Sequence, residues 1–68
     1  MEPATRQLYE YLLDEFPKGI NSIFARDMVI NILVESEKIS SISERCEWLA
    51  KMFCPDVSVK EIRDILLR

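Results

Sequence analysis

Three observations predict an all-α fold, a compact bundle of four helices with the second helix central. Turn-formers are scarce, with one Gly and three Pro in 68 residues, and so few breaks favour a few long helices over many short strands. Apolar residues recur at helical spacing in four segments, about 3–16, 22–38, 42–53 and 58–67, which gathers them onto one face of each helix. Two of those segments open on a Ser with a Glu three residues later, the reciprocal capping pair of a helix start. Residues 1–68 form a single helical domain, without internal repeat, low-complexity tract or linker.

The first helix opens on Pro3, whose missing N–H would be unpaired at a first helical position anyway. Leu8, Tyr9, Leu12, Leu13 and Phe16 follow the i, i+1, i+4, i+5, i+8 spacing of one stripe. Pro17 disfavours helical geometry at the residue before it, and Gly19 suits the left-handed turn beyond a helix end. The second helix starts at Asn21 or Ser22, either a good cap, and runs to about Lys38. Ala25, Met28, Val29, Ile32 and Leu33 make a broad apolar face, and Asp27, Asn31, Glu35 and Lys38 a narrow polar strip. Ile23, Ile30 and Val34 form a second apolar ridge beyond that strip. A helix apolar on nearly every side is expected to be surrounded, which makes this the central helix.

"SSIS" at 40–43 reads as a turn, with Ser41 and Glu44 opening the third helix. Ile42, Cys46, Leu49, Ala50 and Phe53 share its inner stripe, Trp48 and Met52 stand at the edge, and Pro55 marks the break. Ser58 and Glu61 cap the fourth helix, while Val57 and Ile62 hold the positions of a hydrophobic staple. Val59, Ile62, Ile65 and Leu66 face inward and Lys60, Arg63, Asp64 and Leu67 outward.

Composition narrows the function. A chain that is 49% apolar and 31% charged is that of a folded domain, not a disordered one. Below ~70–80 residues a single core supplies little stability, so a staple or a self-association surface is expected. Cys46 and Cys54 are the only cysteines. On one helix they would stand roughly 12 Å apart, beyond disulfide reach, and both read as buried, reduced thiols of a cytoplasmic protein. Without His or paired Cys spacing no metal is expected, and Asp27, Asn31 and Glu35 along one helix make a poor cage for a hard cation. The lone Gly leaves no glycine-rich phosphate loop, and Cys54 lacks the basic neighbours that activate a thiol. No cofactor and no enzymatic activity are expected. No apolar run reaches the ~18–20 residues of a membrane span, and an acidic second residue is unlike a basic signal-peptide start.

Two binding functions stay open. The first is a protein-interaction module, a small regulator or inhibitor acting through an apolar helical surface and itself a homodimer. A chain this short has more apolar side chains than it can easily cover, and uncovered apolar patches rich in Trp, Tyr and Met mark interfaces. Tyr11, Ile23, Ile30, Val34, Trp48 and Met52 are the candidate interface. The second rests on "LAKMF", 49–53, followed by "VSVKEIRDIL", 57–66. These residues resemble a helix-turn-helix, with small Ala50 at the close approach and Ser58 and Ile62 in the places of a capped recognition helix. The resemblance covers about eighteen residues and departs at the turn, where "CPD" replaces a shorter, Gly-containing connection. It implies a DNA-binding regulator using residues 49–67, with Ser58, Lys60 and Arg63 as the contacts. A net charge of −3 and the nearby Glu61 and Asp64 oppose phosphate binding, so the protein partner is favoured over nucleic acid, and no membrane partner is expected.

Overall fold

Among the described residues four helices form: α1 (Pro3–Glu15), α2 (Ile23–Ser36), α3 (Ile42–Met52) and α4 (Val59–Leu66). The computed structural model describes residues 1–15 and 23–68, without the side chains of Ile23 and Phe24. The expected end of α1 at Phe16, the "PKGIN" connection, the cap of α2 at Asn21 or Ser22 and the placement of the Ile23 side chain therefore lie outside the described residues. Each helix packs against two others, α1 against α2 and α4, and α3 against α2 and α4. The radius of gyration, 11.0 Å, matches the ~11 Å expected of a compact chain this long.

The helix starts follow local chemistry. Pro3 is the first residue of α1, as its ring geometry favours. At α3 the Ser41 hydroxyl accepts from the Glu44 N–H at 3.4 Å, but only this half of the expected reciprocal pair forms. At α4 both halves form: Ser58 Oγ accepts from the Glu61 N–H at 3.2 Å, and the Ser58 N–H donates to Glu61 Oε1 at 3.4 Å. Val57 and Ile62 are both buried, as a staple across that cap requires.

Helix ends depart slightly from expectation. The second helix stops at Ser36 rather than Lys38, because the N–H groups of Glu37, Lys38 and Ile39 each donate to a carbonyl three residues back. Such bonds tighten a last turn and close it. Phe53 and Leu67, expected as helical, are the C-caps of α3 and α4.

The core is one contiguous cluster built from one stripe of each helix. Leu8 and Leu12 come from α1, Val29 and Leu33 from α2, Cys46 and Leu49 from α3, and Ile62, Ile65 and Leu66 from α4, with Val57 ahead of it. Full burial of such a side chain stabilises by roughly 1.5–3 kcal/mol. The broad apolar face expected of α2 is narrower in the structure. Val29 and Leu33 of that face are buried, with Ser36, but Met28 is 53% exposed, and Val34 of the second ridge is 38% exposed. Among the described residues α2 approaches α1 and α3 and not α4, so its outer flanks have no helix to cover them.

Polar groups inside the bundle are paired. Arg45, only 11% exposed, reaches from α3 to two helices and the N-terminal segment. Its Nη2 donates to Thr5 Oγ1 at 2.8 Å and its Nε to Ser36 Oγ at 3.2 Å, while Nη1 lies 3.8 Å from Glu2 Oε1. Thr5 and Ser36 are themselves fully buried. The Ser36 hydroxyl in turn donates to the Leu33 carbonyl at 2.6 Å. The Glu2 N–H donates to Glu37 Oε2 at 2.6 Å. That bond, with a second from Thr5, holds the Glu37 carboxyl below the usual carboxylate range. Every buried side-chain N or O among the described residues has a partner.

Candidate protein-docking surface

An open concavity lies where the chain leaves α3 and turns back into α4. Glu47, Ala50 and Lys51 follow the i, i+3, i+4 spacing of one side of α3, and with Cys54, just beyond the helix end, they form one wall. Pro55, Val57 and Val59 form the other, and the groove between them measures about 620 Å³. Ala50 and Val59 are half-buried, Cys54 and Pro55 exposed, and Val57 is anchored in the core. The floor is apolar, with charge only at the α3 rim. Binding clefts share that arrangement, an apolar lining with a few polar groups at its edge.

The segment forming the far wall is fixed from two sides. The α4 cap sets the backbone at Ser58, and the hydroxyl of Ser58 also donates to Glu61 Oε1 at 3.0 Å. Across the bundle the Tyr11 hydroxyl donates to Glu61 Oε2 at 2.6 Å. This bond pushes the Tyr11 hydroxyl up to about 12, aided by burial and the Glu61 charge. The same bond, then those from Ser58, draws the Glu61 carboxyl below its ordinary value. One carboxylate therefore ties α1 to the start of α4.

The residues singled out from sequence are spread over the bundle. Tyr11 and Trp48 are half-buried and pack against the core. On α2, Ile30 is half-buried and Val34 exposed. Met52 is 47% exposed on α3, outside the groove lining. The three candidate DNA contacts occupy α4 and its cap. Lys60 and Arg63 are exposed, whereas the hydroxyl of Ser58 is engaged with Glu61. Arg45 is turned inward to Thr5 and Ser36, away from that surface.

The thiols also divide. Cys46 is fully buried, and burial pushes its thiol up. Cys54, expected to be buried, is exposed at the groove because α3 has already ended and the chain has turned outward. Sequence reasoning passed over the groove itself. Its only signal was the i, i+3, i+4, i+7 set from Glu47 to Cys54, which mixes charge with small residues and does not read as apolar.

No protein-family model matches the chain, and no curated protein or solved structure is detectably similar to it.

Proposed function

We propose that this chain is a non-enzymatic protein-interaction module, a small regulator that docks protein surface into the groove between α3 and the start of α4. The observation that carries this reading is the groove: about 620 Å³, open, apolar at its floor and charged only at one rim. Exposed Met52 elsewhere on α3 and exposed Met28 and Val34 on α2 add apolar surface of the kind interfaces use. The walls are held by the core and by the α4 cap, so a partner meets a pre-formed site and little ordering is required on binding.

The test is capture by tagged chain from nuclease-treated native lysate, with Cys54→Arg as the comparison. Cys54 is exposed, so the variant folds while placing bulk and charge in the groove. The expected result is a protein retained by the wild type and lost by Cys54→Arg. Equal retention by both contradicts the groove. A partner that nuclease treatment removes instead favours a second reading, DNA binding by α4, which the exposed Lys60 and Arg63 support.

A further inference from the structure

The α3 wall of the groove is self-complementary in charge. Glu47 and Lys51 stand one turn apart on that wall, both exposed. Neither joins an ion pair or side-chain hydrogen bond within the chain among the described residues. The spacing suits an internal Glu-to-Lys pair, yet both groups point to solvent free of each other. A ligand of one charge, such as a polyanion or a basic peptide, is attracted by one of them and repelled by the other. A surface bearing the same two charges in reversed order satisfies both.

A second copy of α3 is such a surface. Two copies related by a two-fold axis present the same patch to each other. With the helices antiparallel, Glu47 of one chain faces the partner's Lys51 while Lys51 faces the partner's Glu47. The separation of the two charges, roughly 6 Å along the axis, is the same in both copies, so both pairs close together. Ala50 lies on the same wall within one residue of the two-fold, and a small residue there lets the helices approach toward the ~8 Å end of helix–helix distances. Each α3 is then a ridge lying in the other chain's groove, against Pro55, Val57 and Val59.

We propose that the groove is a self-association surface, filled by the antiparallel α3 of a second copy and registered by two reciprocal Glu47–Lys51 pairs. The proposal rests on the groove being a docking surface and names its occupant. The chain exposes 4692 Å². A standard interface takes ~800 Å² from each partner, roughly a sixth of that, so the contact must extend beyond the groove lining along exposed α3. This surface is distinct from the candidate interface expected from the sequence, which included the α2 ridge of Ile23, Ile30 and Val34.

Charge exchange tests it, at exposed positions that leave the core untouched. Light scattering coupled to size exclusion is run from low to high micromolar concentration. The wild type is expected to move from 8.0 kDa to twice that mass. Glu47→Lys alone sets Lys against Lys at both contacts, and Lys51→Glu alone sets Glu against Glu. Each is expected to weaken self-association by about tenfold or more, since like charges brought together are costly. The double exchange E47K/K51E restores wild-type dimerisation. An equal mixture of the two single variants also restores it, as mixed dimers, because opposite charges again meet at both contacts.

A wild type that stays at 8.0 kDa throughout overturns the proposal. If Cys54→Arg still abolishes capture of another protein, the docking groove survives and only its occupant is wrong. A dimer indifferent to both charge exchanges and to Cys54→Arg removes the groove as the interface altogether.

Discussion

The Tyr11 hydroxyl donates at 2.6 Å to Glu61 Oε2, while Glu61 Oε1 receives the N–H and hydroxyl of Ser58. A local cap and a contact fifty residues apart in sequence thus share one carboxylate. The start of α4, and with it the far wall of the groove, depends on α1.

Ser58→Ala is expected to cost ~1 kcal/mol, within the usual range for a lost N-cap. Tyr11→Phe is expected to cost ~1–2 kcal/mol, since the lost bond has a charged acceptor. Because both residues act through Glu61, the double variant should lose less than the sum. Urea unfolding of the four chains gives the coupling directly. Strict additivity would mean that cap and cross-link are independent.

Stability should depend on pH at both ends. The folded Glu61 and Glu37 carboxyls lie below their ordinary values. Their contribution is fully present above the ordinary Glu value of ~4.3 and is lost as pH falls through the folded values. Tyr11 is shifted the other way, to about 12. Its contribution is full below the ordinary ~10 and is lost as pH rises through the folded value. Urea midpoints are therefore expected to fall on the acid side in the carboxylate range and on the alkaline side above ~10. Tyr11→Phe should abolish the Tyr11-dependent part of the alkaline decline, and Glu61→Gln should flatten the acid one.

Arg45→Met is expected to destabilise by ~2 kcal/mol. The substitution keeps much of the stem but withdraws the donors to buried Thr5 and Ser36, and an unmet buried polar group costs ~1–3 kcal/mol. Chemical denaturation should show a lower midpoint with an unchanged slope. Wild-type stability would show that solvent replaces the guanidinium.

A thiol reagent should label Cys54 rapidly in the folded chain and Cys46 only on unfolding. Cys54 is exposed, whereas Cys46 is fully buried with its thiol pushed up by burial. Equal rates for both would show that α3 opens readily to solvent.

What was legible in the sequence was local. Pro3 and the Ser58–Glu61 pair mark helix starts within four residues of chain, and the structure places both as written. The stripes of α1, α3 and α4 were legible because each has one apolar side, although Ile42, expected on the inner stripe of α3, is exposed at the first turn of that helix. On α2 apolar residues flank the polar strip on both sides, so periodicity alone does not say which flank meets a neighbour; packing chose Val29 and Leu33 and left Met28 and Val34 outside. Arg45 was illegible for another reason: its partners Thr5 and Ser36 lie forty and nine residues away, and nothing in an Arg at the edge of a helical stripe announces a buried network. The groove is likewise a product of chain reversal. Val57 and Val59 read as core residues, and only the return of the chain alongside Ala50 and Cys54 turns them into a wall.

Position-specific photocrosslinking tests the docking groove most directly. A photoreactive amino acid is placed at Lys51, on the groove rim, or at Gln7, exposed on α1, and the chain is irradiated in native extract. The expected result is a discrete adduct from position 51, with none from position 7. Its added mass identifies the occupant, and an increment of one chain, 8.0 kDa, is the second copy. Adducts from position 7 alone, or the same adducts from both, would contradict docking at the groove.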